Sequence, residues 1–204
     1  MKEDTRLEEW LRGVVSTPGL TGLTDLEEAR RALLNEALAA RNLVERGPLV
    51  DVGSGGGSPG IPLADALPEI QVVLLESNRG KCDFLQSQAA AFQNVSVVCA
   101  RAEEHGRGAG RDAYGTAVAQ ALAPPAVALE WCLPLVAVGG RAILYTGESG
   151  AGLERVAARL GGGMTLVQAV PGSERRQLVV VEKLEPTPEE FPRRPGVARK
   201  RPLA

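Results

Sequence analysis

Residues 49–62 read LVDVGSGGGSPGIP: an apolar run closed by an acid, then five glycines within eight positions, with prolines at 59 and 62. A strand that runs into so many glycines and then into a helix start is the turn of an α/β unit, and it lets a ligand approach bare backbone. Three ligand loops compete for this pattern. A Walker phosphate loop needs G-x-x-x-x-G-K-[ST], because a lysine must reach the phosphates and a hydroxyl the magnesium, and no lysine follows here. The dinucleotide fingerprint G-x-G-x-x-G is matched by Gly55, Gly57 and Gly60. Asp51-x-Gly53-x-Gly55 matches the loop in which a strand ends in an acid and the backbone meets the methionine part of S-adenosylmethionine (SAM). A tight turn at positive φ with no ligand is the fourth reading.

From residue 49 onward apolar runs alternate with amphipathic stretches, which predicts βαβ units. Strands are expected at 49–52, 71–76, 96–100, 114–120, 141–147, 164–170 and 175–184. Helices are expected at 61–67, 79–92, 124–137 and 150–160, the third opening on Pro124-Pro125 and closing at Gly139-Gly140. No helix separates the last two strands, so they should pair as an antiparallel hairpin. The fold class is therefore α/β, a mostly parallel, doubly wound Rossmann-like sheet ending in that hairpin. This order resembles the class I SAM-dependent methyltransferase fold, whereas a dinucleotide fold is expected to continue with another parallel crossover.

The second strand ends in Glu76, placed to accept hydrogen bonds from two ribose hydroxyls of either NAD or SAM. The third runs into Arg101-Ala102-Glu103-Glu104, where backbone N–H and a carboxylate can read an adenine edge or merely start a helix. Asp51, Glu76 and Glu103, each at a strand end on one sheet edge, together favour SAM. Gly53, Gly55, Gly57 and Asp51 are expected at the methionine end, with Ser54 and Gln120 also in the cofactor set, Glu76 at the ribose, and Ala102 with Glu103 at the adenine.

The 204 residues suit an α/β domain with additions: a helical extension at 1–46, the SAM-binding domain at 47–184 and a basic, proline-rich tail at 185–204. At 44% apolar and 24% charged the composition is that of a soluble globular protein, with no run long enough to cross a membrane and no signal-peptide character in MKEDTRLEEW. Cys82, Cys99 and Cys132 have no C-x-x-C spacing and are odd in number, which argues against metal binding or a complete disulfide framework; a reducing cytoplasm and a monomer are expected. The single histidine, His105, reads as a solvated loop residue. Net charge is only −2, but Arg193, Arg194, Arg199, Lys200 and Arg201 crowd the tail without an acid. Such a segment is either a solubilising end or a phosphate contact.

DVGSGGGSPGIPLA (51–64), ESNRGKCDFL (76–85), RAEE (101–104), ALAPPAVALEWCLPLVAVGGR (121–141) and PTPEEFPRRPGVARKRPL (186–203) together resemble, in order, the bacterial small-subunit ribosomal RNA guanine-N7 methyltransferase family, RsmG or GidB. The resemblance implies SAM as cofactor, ribosomal RNA or the small ribosomal subunit as partner, and a tail that is ordered or touches RNA. Arg79 and Lys81 become candidate phosphate contacts beside the tail cations, and Phe84 reads as core. Guanine N7 carries a lone pair and no proton, so no general base and no metal are expected. The chain departs from the family at Ser58, where an aromatic residue is usual, and at Gln120, where arginine is. Ala32, Asn35 and Glu36 replace a His-x-x-Asp-Ser signature. Two alternatives follow: a catalytically weakened RNA-binding relative, and a nicotinamide-dependent oxidoreductase using the same glycines.

Overall fold

A computed structural model describes residues 5–147, 152–173 and 176–203. The chain opens with α1 (Thr5–Ser16) and the single turn α2 (Leu26–Ala29), capped by the Asp25 carboxylate on the Glu28 N–H at 2.8 Å. A π-helical stretch, Arg30–Asn35, and a 3-10 stretch, Ala37–Leu43, lead into β1 (Leu49–Val52). Then follow α3 (Gly60–Ala66), β2 (Val72–Glu76), α4 (Arg79–Ala89), β3 (Val95–Cys99), α5 (Ala102–His105) and β4 (Tyr114–Gln120). The second half holds α6 (Pro125–Cys132), β5 (Val136–Thr146), α7 (Leu153–Arg159), β6 (Gly162–Ala169), β7 (Gln177–Lys183) and α8 (Val197–Lys200).

The seven strands lie in the order β3-β2-β1-β4-β5-β7-β6. β1 to β5 are parallel, and β7 is antiparallel to both β5 and β6. The doubly wound sheet with a closing hairpin is thus as expected, and the strand order reverses between β1 and β4. Ligands of such sheets bind at that reversal, beyond the carboxyl ends of the strands.

Both faces of the sheet are covered. Trp10, Leu11 and Val14 of α1, with Ala29, Ala40 and, from α4, Leu85, pack on the face that carries Leu49 and Leu74, all nearly inaccessible. Phe84 is half-buried and packs here, near Gly13 of α1, as a core residue. The other face holds α6 and α7 together with Phe191 and Ala198 from the C-terminal segment. Burying that apolar area, at about 25 cal/mol per Å², is what fixes the two ends of the chain on the sheet.

Four local expectations are corrected. Helix α6 does not run to the glycines: after a 3-10 turn at Leu133–Leu135 the chain enters β5 at Val136. Gly139 and Gly140 lie inside that strand, where φ is +82° at Gly139 and a Cβ on Gly140 would fall 2.4 Å from the Gly115 carbonyl oxygen. The glycines serve close strand approach, not a helix stop. Second, α4 ends at Ala89, not 92, because Phe92 turns into the core. Third, His105 is half-buried, with Nε2 2.7 Å from the Tyr114 hydroxyl, and burial lowers its pKa. Fourth, Cys82 and Cys99 form a disulfide that joins α4 to β3, leaving Cys132 free and buried. Positions 150 and 151 of the fourth expected helix and 175 of the last strand lie outside the described residues.

The tail is strapped to the body. Arg111 donates to the carbonyls of Thr187 and Phe191 at 2.6 and 2.7 Å, and Arg107 to that of Pro192 at 2.7 Å. Lys183, fully buried, donates to the carbonyls of Leu133 and Leu160 and to the Thr187 hydroxyl, with Asp112 at 3.5 Å. Burial pulls its pKa down and Asp112 holds it up, leaving it at about 8.

Candidate functional site

The glycine loop leaves β1 at Val52 and doubles back on β2. The N–H groups of Gly53 and Ser54 donate to the Leu75 carbonyl at 2.7 and 3.2 Å, and that of Gly57 donates to the Ser54 carbonyl at 2.7 Å. Gly53, Gly55 and Gly57 have φ of +71°, +56° and +104°, a region that L side chains avoid. Three side chains fasten the loop. Asp51 Oδ2 accepts from the Gly60 N–H at 3.0 Å, Glu76 Oε2 from the Gly55 N–H at 3.0 Å, and the Trp10 indole donates to the Gly56 carbonyl at 2.8 Å. Trp10 carries no sequence signal for this role; it reads only as one apolar position of α1.

Two cavities meet over the loop. The first, of about 530 Å³, is walled by Gly53, Gly55, Glu76, Ala102, Glu103 and Leu122, among others. The second, of about 430 Å³, is walled by Trp10, Leu33, Ser58, Gln120 and Arg176, among others. Gly53, Gly55, Lys81 and Ala121 border both. Each volume lies in the range of small-molecule sites, roughly 300–1,000 Å³.

The expected cofactor residues divide between these places. Gly53, Gly55, Glu76, Ala102 and Glu103 line the first cavity. Ser54 and Gln120 line the second. Asp51 lines neither: it is 1% exposed and sits beneath the loop. Gly57 lines neither as well, and a Cβ there would fall 2.6 Å from the Ile61 side chain, so this glycine serves packing against α3 and Trp10. Glu76 Oε1 also accepts from the N–H groups of Ser77 and Asn78 at 2.7 and 2.8 Å. Glu103 Oε1 accepts from the Gly196 N–H at 3.0 Å and from Arg101 at 3.2 Å. Burial pushes the Glu103 carboxyl up, but those two donors outweigh it and hold its pKa below the usual carboxylate value.

Of the positions that depart from the family pattern, Ala32, Ser58 and Gln120 line the second cavity. The Ser58 hydroxyl lies 2.8 Å from the Leu33 carbonyl and 3.0 Å from Gln120 Oε1, and Gln120 Nε2 lies 3.4 Å from the Ala32 carbonyl. Glu36 pairs with Arg176 at 2.8 Å. Ser58 and Gln120 therefore bond with each other and with the backbone of Ala32 and Leu33, while Glu36 is taken up by Arg176.

Among the cations expected to meet RNA, Arg79, Arg194, Arg199, Lys200 and Arg201 are exposed, Arg199 also bordering the first cavity, and Lys81 is half-buried between the two cavities. Arg193 is different. Its guanidinium clasps the Glu130 carboxylate, Nε to Oε1 at 2.7 Å and Nη2 to Oε2 at 2.5 Å, and Glu130 is 1% exposed. Glu130 raises the Arg193 pKa. Replacing Arg193 by alanine leaves a buried carboxylate without its cation, so we expect a loss of about 2 kcal/mol of stability, below the full buried-pair penalty because the arginine is partly solvated. Urea unfolding of Arg193→Ala against Arg194→Ala checks this; equal midpoints would refute it.

Residues 5–158 match the family model described as rRNA small subunit methyltransferase G. That match covers well over half of the chain. The chain belongs to this family. The ribosomal RNA small subunit methyltransferase G of Moorella thermoacetica is 39% identical over 197 residues, covering 90% of this chain and 82% of that protein. The protein of the same name from Rubrobacter xylanophilus is 45% identical over 171 residues, covering 77% of this chain and 65% of that one. Solved structures share the fold at lower identity. An O-methyltransferase from neocarzinostatin biosynthesis, solved with SAM and a naphthoic acid, superposes with a TM-score of 0.61 at 19% identity over 78% of this chain and 56% of that one. The pyocyanin biosynthetic protein PhzM does so with a TM-score of 0.59 at 17% identity, over the same 78% and 56%. Within the small-subunit methyltransferase G family fold, the two cavities lie beyond the strand ends where β1 and β4 part.

Proposed function

We propose that this methyltransferase transfers a methyl group from SAM to N7 of a guanine in small-subunit ribosomal RNA, in the cytoplasm and as a monomer. The carrying observation is that two cavities share the wall formed by Gly53, Gly55 and Ala121. A cofactor in one and a base in the other would touch there. The first cavity fits SAM on its own residues. Gly55 offers a bare backbone edge, since a Cβ there would have nothing nearer than the Gly53 carbonyl oxygen at 3.9 Å. Glu76 presents a carboxylate that accepts three backbone N–H groups, and the lone pair left on Oε2 can accept a ribose hydroxyl. When bound, SAM supplies an electrophilic methyl on a sulfonium.

The chain's share of the chemistry is placement. Guanine N7 has no proton to lose, so the acceptor needs alignment and no base. Trp10, Leu33 and the Ser58–Gln120 pair wall the acceptor cavity, and Lys81 at the junction can hold a phosphate beside the base. Arg79, Arg194, Lys200 and Arg201 add the sequence-independent phosphate contacts. Hydride transfer to a nicotinamide is disfavoured by the closing hairpin and by family membership.

Glu76→Gln tests the ribose contact. With one charged acceptor made neutral, SAM affinity should fall by about ten- to thirtyfold, the worth of a charge-assisted hydrogen bond. Calorimetry giving wild-type affinity in the folded variant would remove Glu76 from that role. The function itself is tested by incubating the protein with methyl-labelled SAM and small-subunit RNA or subunits free of the modification, then digesting to nucleosides. N7-methylguanosine is the expected product. Binding of SAM and RNA with no such product would instead support the weakened relative, with the 32–36 segment and Gln120 as its cause.

A further inference from the structure

The first cavity has a wall that the glycine loop and the strand ends do not supply. Arg199, on α8 in the C-terminal strap, lines it together with Trp131 of α6. The Arg199 guanidinium carbon lies 5.2 Å from the centre of the Trp131 ring, and Nη2 lies 3.5 Å from the carbonyl of Leu122, another residue of the cavity wall. Trp131 is only 4% exposed, so it backs the guanidinium. The strap is pinned on both sides of this residue. Upstream, Glu103 accepts from the Gly196 N–H and Glu130 holds Arg193; downstream, Arg193 Nη2 reaches the Arg201 carbonyl at 2.8 Å. The guanidinium is thus carried on a segment tied to the two helices that flank the adenine end, α5 through Glu103 and α6 through Glu130.

We propose that Arg199 is a cofactor-binding residue, its guanidinium covering the adenine of SAM, and that the C-terminal strap forms the outer wall of the cofactor site. This rests on the assignment of the first cavity to SAM. A planar cation over an aromatic face is attracted by the ring quadrupole, and arginine stacks in this way where lysine cannot. Trp131 on one side and the purine on the other would leave the guanidinium between two π faces. The neighbouring Lys200 is exposed and lines neither cavity, so adjacent residues of the strap divide their work between cofactor and RNA.

The test is titration calorimetry of wild type, Arg199→Ala, Arg199→Lys and Lys200→Ala with SAM, S-adenosylhomocysteine and 5′-methylthioadenosine. Arg199→Ala should weaken all three ligands by a similar factor, about three- to thirtyfold, because all three carry the adenosine. Arg199→Lys, which keeps the charge and the stem over Trp131 but not the plane, should lose less, and Lys200→Ala nothing. Arg199→Lys also secures the result if the alanine variant does not fold. Unchanged affinities in the Arg199 variants overturn the inference. A loss confined to SAM also overturns it, since the guanidinium would then act at the methionine end. Wild-type protein that binds none of the three overturns the SAM assignment itself.

Discussion

Gly55→Val should abolish measurable SAM binding, a loss of about a hundredfold or more, while the protein still folds. Gly55 has φ +56° and its Cβ direction is open, with only the Gly53 carbonyl oxygen at 3.9 Å, so a side chain there meets no protein atom but projects where both cavities meet. The backbone cost of a β-branched residue at positive φ is roughly 1–3 kcal/mol, which a domain of this size survives. The affinity loss has two causes: the branched group fills ligand space, and any relaxation of φ pulls the Gly55 N–H from Glu76, which sits 3.0 Å away. Gly172→Val is the control. It has φ +78° and open space too, but lies between β6 and β7 and lines neither cavity. Both variants should show lowered thermal midpoints, and only Gly55→Val should lose SAM by calorimetry. Equal SAM affinity in the two would show that the loop does not face the cofactor.

Asp51→Asn should abolish the pH dependence of stability that Asp51 gives the wild type between about pH 4 and pH 7. Asp51 is 1% exposed, one carboxylate oxygen takes the Gly60 N–H, and Oδ1 has no partner among the described residues. Burial raises its pKa, Gly60 and Ser54 pull the other way, and Glu76 adds to the rise, leaving it at about 7 against 3.8 for the free group. The folded state therefore holds a proton that the unfolded chain has already released. The stabilisation is complete below about pH 4, declines as pH rises, and is gone above about pH 7. Three pKa steps at 1.36 kcal/mol each make the total of order 4 kcal/mol. Asparagine has no proton to lose and keeps an acceptor for Gly60, so its stability relative to wild type should climb by that order between pH 4.5 and 8. Urea unfolding of both proteins across this range is the measurement, and parallel curves would show that Asp51 is ionised in the fold.

Local periodicity and turn chemistry are properties of neighbouring residues, and the sequence by itself determined what depends on them. Alternating apolar runs, the glycines of 53–60 and the absence of a helix between 170 and 176 sufficed for a parallel α/β sheet with an antiparallel end and for a ligand loop at its edge. Glu76 was legible because a strand's last residue must lie at the sheet's carboxyl edge, and Ala102 because it opens the helix that follows β3 at that same edge, whatever packs elsewhere. Only the tertiary structure decided which loop residues border the cavities and which face the core. Asp51 and Gly57 satisfy the motif as well as Gly53 and Gly55 do, yet burial turns them toward Gly60, Ile61 and Trp10. The tail shows the same division. Its five cations look alike in sequence, but Arg193 meets the buried Glu130, 63 residues away in the chain, and Arg199 meets Trp131, while Arg194, Lys200 and Arg201 stay in solvent. Partners so distant leave no periodic trace, because a charge acquires its role from the carboxylate or ring that folding brings beside it, and a buried partner outweighs a solvated one.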